Sequence, residues 1–371
     1  MQETKIKVAV IVNPIAGMGG LVGLKGTDGG MHIKAAELGA TPLSPERAKQ
    51  VLKHITQADR IHFLTAPGSM GADVFMEASI PAETIGSAAE VTTKEDTIRI
   101  AKMFLDVGTD LIIFVGGDGT ARDVMNAIGT SLPVVGVPAG VKVYSGVFAY
   151  SPKAAADMVD AFVNGAGVTE EEVLDIDEDA YRDDRLSSRF YGLLAVPDVR
   201  KDIQAGKIDY TGSVTSEENK QDIAEWIAEQ MDDETLYLLG PGTTVKAVAD
   251  VINIKKTILG IDAVHNKQLI QPDLNEKDIL SLLDTYPAVK MIITPLGGNG
   301  FIIGRGSKPF SPAVLARVPR KNIHVICTQE KLEKLDCLRV DSGDEALDST
   351  LSGYIQVTNG YREARMVKVC G

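Results

Sequence analysis

No run of apolar residues in this 371-residue sequence approaches the roughly 20 needed to cross a bilayer, so the reading contains no membrane-spanning helix. Cysteine is nearly absent. Cys327, Cys337 and Cys370 are odd in number, well separated and include no Cys-x-x-Cys pair. That argues against a disulfide framework and against a structural zinc site, and it leaves Cys327, inside an apolar run, as a small buried hydrophobe. Positive charge is in deficit. A formal net charge of −13 would repel a phosphodiester backbone, which argues against nucleic acid as a partner. A nucleotide stays compatible, provided metal ions or backbone N–H groups supply positive potential locally. The first residues run straight into a β-like segment without a signal-peptide core, and cytoplasmic residence is the expectation.

What is present is globular. Hydrophobic residues make up 44% and charged residues 24%, a composition neither disordered nor fibrous, and the length calls for two or three domains. Residues 6–13 are almost continuously apolar and β-branched, as in a buried parallel strand. They end at Asn13-Pro14, and a glycine-rich stretch follows from Gly17 to Gly30. Helices are then predicted over 44–57, after Gly68-Ser69-Met70-Gly71, over 93–106 and over 121–128. Ser44 and Pro45 open the first of these, and Thr93 the third. Strands are predicted over 60–64, 110–115 and 133–137. This alternation predicts a parallel, doubly wound sheet over residues 1–150.

The pattern then changes. β-like runs at 173–176 and 190–196 flank a charged segment, 177–189, and read as antiparallel. A helix over 217–231 carries Trp226, the only tryptophan. Strands over 235–239, 256–262, 289–294 and 323–328 alternate with helices over 243–252, 276–285 and 312–317. The tail, 337–371, is strand-rich with turns at Ser342-Gly343-Asp344 and Asn359-Gly360. The expected fold is therefore α/β in three parts. An N-terminal parallel α/β domain spans 1–150, a β-rich antiparallel C-terminal domain is built from 151–215 and 337–371, and an α/β insert occupies 216–336.

The run Gly116-Gly117-Asp118-Gly119-Thr120 follows the strand over 110–115 directly. Ligands of open α/β sheets bind at carboxyl ends of strands, and glycines there let backbone N–H groups approach a phosphate. A carboxylate among them would repel phosphate unless it takes a proton from an attacking hydroxyl or holds Mg²⁺. Thr120 can donate to a phosphate oxygen or cap the next helix. This combination predicts phosphoryl transfer, with Asp118 as base or metal holder.

That pentapeptide resembles the signature of the superfamily of NAD kinases, diacylglycerol and sphingosine kinases, and 6-phosphofructokinases. Asn13-Pro14-Ile15-Ala16-Gly17 is similar to the Asn-Pro-x-x-Gly of the lipid-kinase branch. Val340-Asp341-Ser342-Gly343-Asp344, with Gly140-Val141-Lys142, looks like the ATP-NAD kinase-like proteins that have a distinct C-terminal region. The resemblance implies an N-terminal α/β domain and a β-rich domain, ATP as phosphoryl donor, and Mg²⁺ or another divalent cation. It implies Asp118 as the general base for the acceptor hydroxyl, which in NAD kinases is the adenosine 2′-OH. Gly116, Gly117, Gly119 and Thr120 would cradle phosphate, with Asn13, Gly17 and Asp123 nearby. Where lipid kinases carry Asn-Glu after the signature this chain has Arg122-Asp123, and Ala139-Gly140-Val141-Lys142 replaces their Gly-Thr-x-Asn-Asp. No Asn-Glu pair maps onto the one that holds the NAD ribose, Asn275-Glu276 reading as a helix start.

Other features leave alternatives open. In Gly240-Pro241-Gly242-Thr243-Thr244-Val245-Lys246, backbone N–H groups, two hydroxyls and Lys246 suit a nucleotide phosphate, or a capped helix start with an exposed lysine. Thr294-Pro295-Leu296-Gly297-Gly298-Asn299-Gly300 and Gly304-Arg305-Gly306 end another strand, with Asp262 and His265 between. Asp341, Asp344, Glu345 and Asp348 read more readily as a solvated hairpin tip than as Mg²⁺ ligands. Lys25 and Asp28 lie in the glycine-rich stretch, a candidate lid or a long surface loop. His32, His54, His62 and His324 show no metal-ligand spacing and read as structural. The expected partners are small molecules: ATP, and NAD or a related hydroxyl compound. A lipid or sugar acceptor and a non-catalytic nucleotide-binding regulator stand as alternatives, and self-association is left open.

Overall fold

A computed structural model describes residues 5–18, 35–37, 39–88, 91–139, 143–176, 188–199 and 214–370. Lys25, Asp28 and His32, the glycines from Gly19 to Gly30, Gly140-Val141-Lys142 and most of the charged segment 177–189 lie outside the described residues. Among the described residues no helix is long and apolar enough to cross a membrane. The chain forms two compact units.

The first unit is a five-stranded sheet of β1 (Ile6–Val12), β2 (Ile61–Thr65), β3 (Glu83–Thr84), β4 (Leu111–Gly116) and β5 (Val134–Pro138). Its order is β3-β2-β1-β4-β5, and every pairing is parallel. β4 is buried at all its positions, which is why its sequence shows no polar alternation. The helix Lys94–Asp106 opens with the anticipated Thr93–Asp96 capping box. The helix Pro152–Val163 was not anticipated. Ser151 caps it, accepting from Ala154 N at 3.1 Å, and Pro152 is its first residue.

The strands β6 (Val168–Ile176) and β7 (Ser188–Pro197) pair antiparallel, as expected, and among the described residues only with each other. They are not part of a C-terminal domain. Val173, Leu194 and Val196 are buried in the same hydrophobic core as β1 and β4, so the first unit continues past residue 150.

The second unit contains β8 (Leu236–Leu239), β9 (Asp262–His265), β10 (Gln268–Gln271), β11 (Val289–Ile293), β12 (Phe301–Ile303), β13 (Ile323–Ile326), β14 (Leu338–Val340), β15 (Gly353–Gly360) and β16 (Glu363–Cys370). They form one mixed sheet of order β10-β9-β8-β11-β13-β15-β16-β14-β12. The expected borders at 216 and 337 do not divide this sheet, because β13 pairs with β15 and β12 with β14. One face carries the helices Val214–Glu229 and Thr243–Val251 against Leu239 and Ile292, and the other carries Glu276–Thr285 and Pro312–Leu315 against Leu238 and Ile293.

Four local expectations fail here for identifiable reasons. Residues 256–261 are not strand: buried Lys256 donates to the carbonyls of Thr257 and Gly260, and Asp262 accepts from Thr257 N, Thr257 Oγ1 and Asp273 N. Side-chain bonds to backbone there replace a ladder. The hairpin turn is Tyr361-Arg362 rather than Asn359-Gly360, since Gly360 pairs with Glu363. The acidic cluster is no hairpin tip, because Asp344 caps the helix Glu345–Leu351 and Asp348 accepts from Ser342 N at 2.9 Å. Finally, Cys337 and Cys370 form a disulfide, with Cα atoms 6.1 Å apart, because β14 and β16 pair at that point. Cys327 is free and buried, as expected.

Candidate active site

The sheet order of the first unit reverses at β1. From β1 the chain adds β2 and β3 on one side, then crosses to β4 and β5 on the other. Connections leaving the carboxyl ends of β1 and β4 therefore diverge, which opens a crevice between them. Asn13 follows β1, and Gly116-Gly117-Asp118 ends β4. The two motifs are 103 residues apart in the chain and meet here. Asn13 N extends the ladder by donating to Val115 O at 2.9 Å. Its Nδ2 donates to Thr120 Oγ1 at 3.0 Å, and its Oδ1 accepts from Ile15 N at 3.2 Å. Ser44, buried at the start of the helix Ser44–His54, donates to Asn13 O at 2.6 Å.

The helix behind the motif starts at Asp118, three residues earlier than the sequence suggested. Asp118, Gly119 and Thr120 are its first turn, where an acidic residue meets the positive end of the helix dipole. Thr120 neither caps that helix nor faces outward; it is buried and bonded to Asn13. The glycines divide by role. A Cβ on Gly116 would lie 2.3 Å from Thr120 Oγ1, whereas around Gly117 and Gly119 nothing lies within 4 Å. Gly116 thus lets Thr120 pack, and Gly117 and Gly119 leave backbone open beside the helix N-terminus. Gly17, with φ of +83°, brings the turn after β1 against Ala139.

Asp118 is 6% exposed. Oδ1 accepts from Ser145 N at 2.9 Å and Ser145 Oγ at 2.6 Å, and Oδ2 accepts from Tyr144 N at 2.7 Å. Of about four acceptor sites on a carboxylate, one on Oδ2 is left. Burial pushes the Asp118 carboxyl up to about 7; the Ser145 and Tyr144 bonds oppose this, and the Asp175 charge adds to it. Ser145 is held in turn by β6, lying 2.8 Å from Leu174 O and accepting from Leu174 N at 3.0 Å. A bridge between Gly136 of β5 and Phe148 fixes the segment that carries both residues.

Neither Tyr144 nor Ser145 figured among the sequence candidates. The available signal was a serine-glycine step inside an otherwise apolar run, 143–149. One turn along, Arg122 pairs with Asp175 at 3.0 Å and lies over the Tyr191 ring at 5.2 Å. Asp123, a predicted phosphate neighbour, is a half-buried carboxylate raised to about 6 by burial. Removing the Ser145 hydroxyl should take away a bond that favours ionised Asp118. In Ser145→Ala the Asp118 carboxyl is expected to titrate above its wild-type position, followed by carbon-13 NMR; an unmoved titration would contradict this arrangement.

The remaining predicted residues, Gly240, Gly242, Thr243, Thr244 and Lys246, lie in the second unit at the carboxyl end of β8. Lys246 Nζ pairs with Asp250 Oδ2 at 2.6 Å, one turn along the same helix. Thr244 is buried and Thr243 exposed at the first turn of the helix Thr243–Val251.

Residues 8–167 match the family model of the ATP-NAD kinase N-terminal domain, and residues 232–369 match that of the ATP-NAD kinase C-terminal domain. No curated protein matches. Among solved structures, a putative diacylglycerol kinase from Bacillus anthracis str. Sterne is similar over 47% of this chain and 46% of that one, at 16% identity and a TM-score of 0.25. This chain thus spans about half the length of that protein. UDP-GlcNAc 2-epimerase from Neisseria meningitidis is similar over 91% of this chain and 77% of that one, at 14% identity and a TM-score of 0.24.

Proposed function

We propose that this chain, which belongs to the ATP-NAD kinase family, is an ATP-dependent kinase that phosphorylates a hydroxyl group, with the 2′-OH of NAD as the favoured acceptor. The observation that carries the proposal is Asp118. It is a buried carboxylate at a strand end, raised to about 7, with one acceptor position left on Oδ2. A general base works best with a pKa near the operating pH.

In this reading Asp118 Oδ2 takes the proton of the acceptor O–H as that oxygen forms a bond to the γ-phosphorus of ATP. The bond from the γ-phosphorus to the β,γ-bridging oxygen breaks, and ADP leaves. The open backbone at Gly117 and Gly119 and the start of the helix Asp118–Ile128 lie where donors to phosphate oxygens are needed. Such catalysis is mostly positioning and neutralisation of charge. Among the described residues no group of three or more His, Cys, Asp or Glu side chains could hold a metal ion. A divalent cation would accompany the ATP phosphates.

The test is γ-labelled ATP with NAD and a panel of sugars, lipids and small alcohols. Label in the 2′-phosphate of NADP is the expected product. Label in a different alcohol alone would move the acceptor while keeping the chemistry, and label in none of them would overturn the proposal.

A further inference from the structure

Ser145 is fully buried, and its hydroxyl meets more acceptors than it has hydrogens. Oγ lies 2.6 Å from Asp118 Oδ1 and 2.8 Å from Leu174 O, and it accepts from Leu174 N at 3.0 Å. A hydroxyl carries one hydrogen and two acceptor positions. Leu174 N can only donate, so it occupies one acceptor position. The single hydrogen then faces two acceptors, Oδ1 and Leu174 O, and points at one or the other. The register of β6 against β7 shifts between Val173 and Leu174. Such irregularities re-aim backbone beside active sites, and here both polar backbone groups of Leu174 come within reach of Ser145.

The charge on Asp118 decides between the two acceptors. A hydrogen bond to an ionised acceptor is roughly twice as strong as one to a neutral carbonyl, so the hydroxyl turns to Oδ1 while the carboxylate is ionised. Ser145 N donates to the same oxygen at 2.9 Å, and both positions on Oδ1 are then filled. Oδ2 accepts from Tyr144 N at 2.7 Å and keeps its second position, so an arriving proton goes there. With the proton on Oδ2, Oδ1 is a neutral oxygen like Leu174 O, and the preference for Oδ1 is gone.

We propose that Ser145 is a positioning residue whose hydroxyl fills Oδ1 while Asp118 is ionised, directs the acceptor's proton to Oδ2, and turns to Leu174 O once that proton has arrived. The acceptor O–H bond breaks as the Oδ2–H bond forms. The Ser145 hydrogen stays on Oγ throughout and changes only its direction. This device rests on the proposed role of Asp118 as base.

Other charged and titratable groups surround Asp118 and Ser145: Asp175 and Glu171 of β6, Tyr191 of β7, and Arg122 and Asp123 of the helix Asp118–Ile128. Variants at Ser145 leave all of them in place. The experiment compares wild type with Ser145→Ala, Ser145→Thr and Ser145→Cys by two readouts. The first is the pH profile of kcat/KM for label transfer from ATP. Losing a bond that favours the ionised form raises a carboxyl, so Ser145→Ala should move the rise of activity up by about one pH unit. Ser145→Thr keeps the hydroxyl and should restore the wild-type profile. Ser145→Cys, a weak donor, should fall between and serves if the added methyl of threonine does not fit.

The second readout is the carbon-13 shift of the Leu174 carbonyl across the same pH range without substrate. In wild type it should titrate together with Asp118, as that oxygen gains the hydroxyl, and in Ser145→Ala it should stay nearly flat. A serine that only supports the fold would lower the unfolding temperature and leave the profile in place. An unmoved profile in Ser145→Ala, or a Leu174 carbonyl in wild type that does not follow Asp118, would overturn the proposal. Asp118→Asn with turnover near wild type would overturn the base reading and this proposal with it. The carbonyl titration needs no turnover, so it tells the two failures apart.

Discussion

Asp118→Asn is expected to lower turnover by about 10²–10⁴-fold, the usual contribution of a positioned general base, while ATP binding persists. The carboxamide has the size of the carboxylate but cannot take the proton of an acceptor hydroxyl. Its oxygen can still accept from Ser145 N, which donates to Asp118 at 2.9 Å. Its NH₂ then faces Tyr144 N, which donates to Oδ2 at 2.7 Å, and one bond is lost, a change on the order of 1 kcal/mol. Catalysis should therefore fall much further than stability. Label transfer from ATP, measured beside thermal unfolding of the same preparation, checks both halves. Turnover close to wild type would remove Asp118 from its role.

Gly17→Ala is expected to destabilise the first unit by about 3 kcal/mol, lowering its unfolding temperature by roughly 10 °C. Two effects add. At φ of +83° an L side chain is strained, and the new Cβ would lie 2.1 Å from Ala139 O. That oxygen belongs to the backbone and cannot rotate away. Ala139 N donates to Gly116 O at 2.9 Å, so any shift that relieves the clash pulls on the end of β4, beside Asp118. Gly165→Ala is the control. Its φ of +90° is similar but nothing lies within 4 Å of its Cβ, and it lies in the same unit, so it should carry only the left-handed penalty, about 1–2 kcal/mol. Equal losses in the two variants would mean that the approach to Ala139 contributes nothing.

Much of the first unit is legible from residue pattern because its signals are local. A strand buried on both faces reads as an apolar run, as Leu111–Gly116 does, and a helix start such as Thr93–Asp96 is written within four residues. The glycines of the phosphate motif are legible for the same reason. What holds Asp118 is not local: Tyr144 and Ser145 are 26 and 27 residues away, and their segment is fixed by a bridge between Gly136 and Phe148 and by the bonds of Ser145 to Leu174 of β6. No periodicity announces such a bond. The second unit failed to divide as expected for a related reason. Alternation fixes that strands and helices follow one another, but the pairing of β13 with β15 and of β12 with β14 is a choice among distant partners. Lys246 illustrates a third limit, since a lysine after a glycine-rich loop looks the same in sequence whether or not a carboxylate of its own helix pairs with it, as Asp250 does four residues on.

The most direct test of the account is the pH dependence of kcat/KM for phosphoryl transfer by the wild-type chain. A base must be ionised to act, and burial raises Asp118 to about 7. Activity should therefore be low well below 7, rise through a single ionisation near that value and level off above it. A profile flat through neutral pH, or one that falls as pH rises through about 7, would contradict Asp118 as the base.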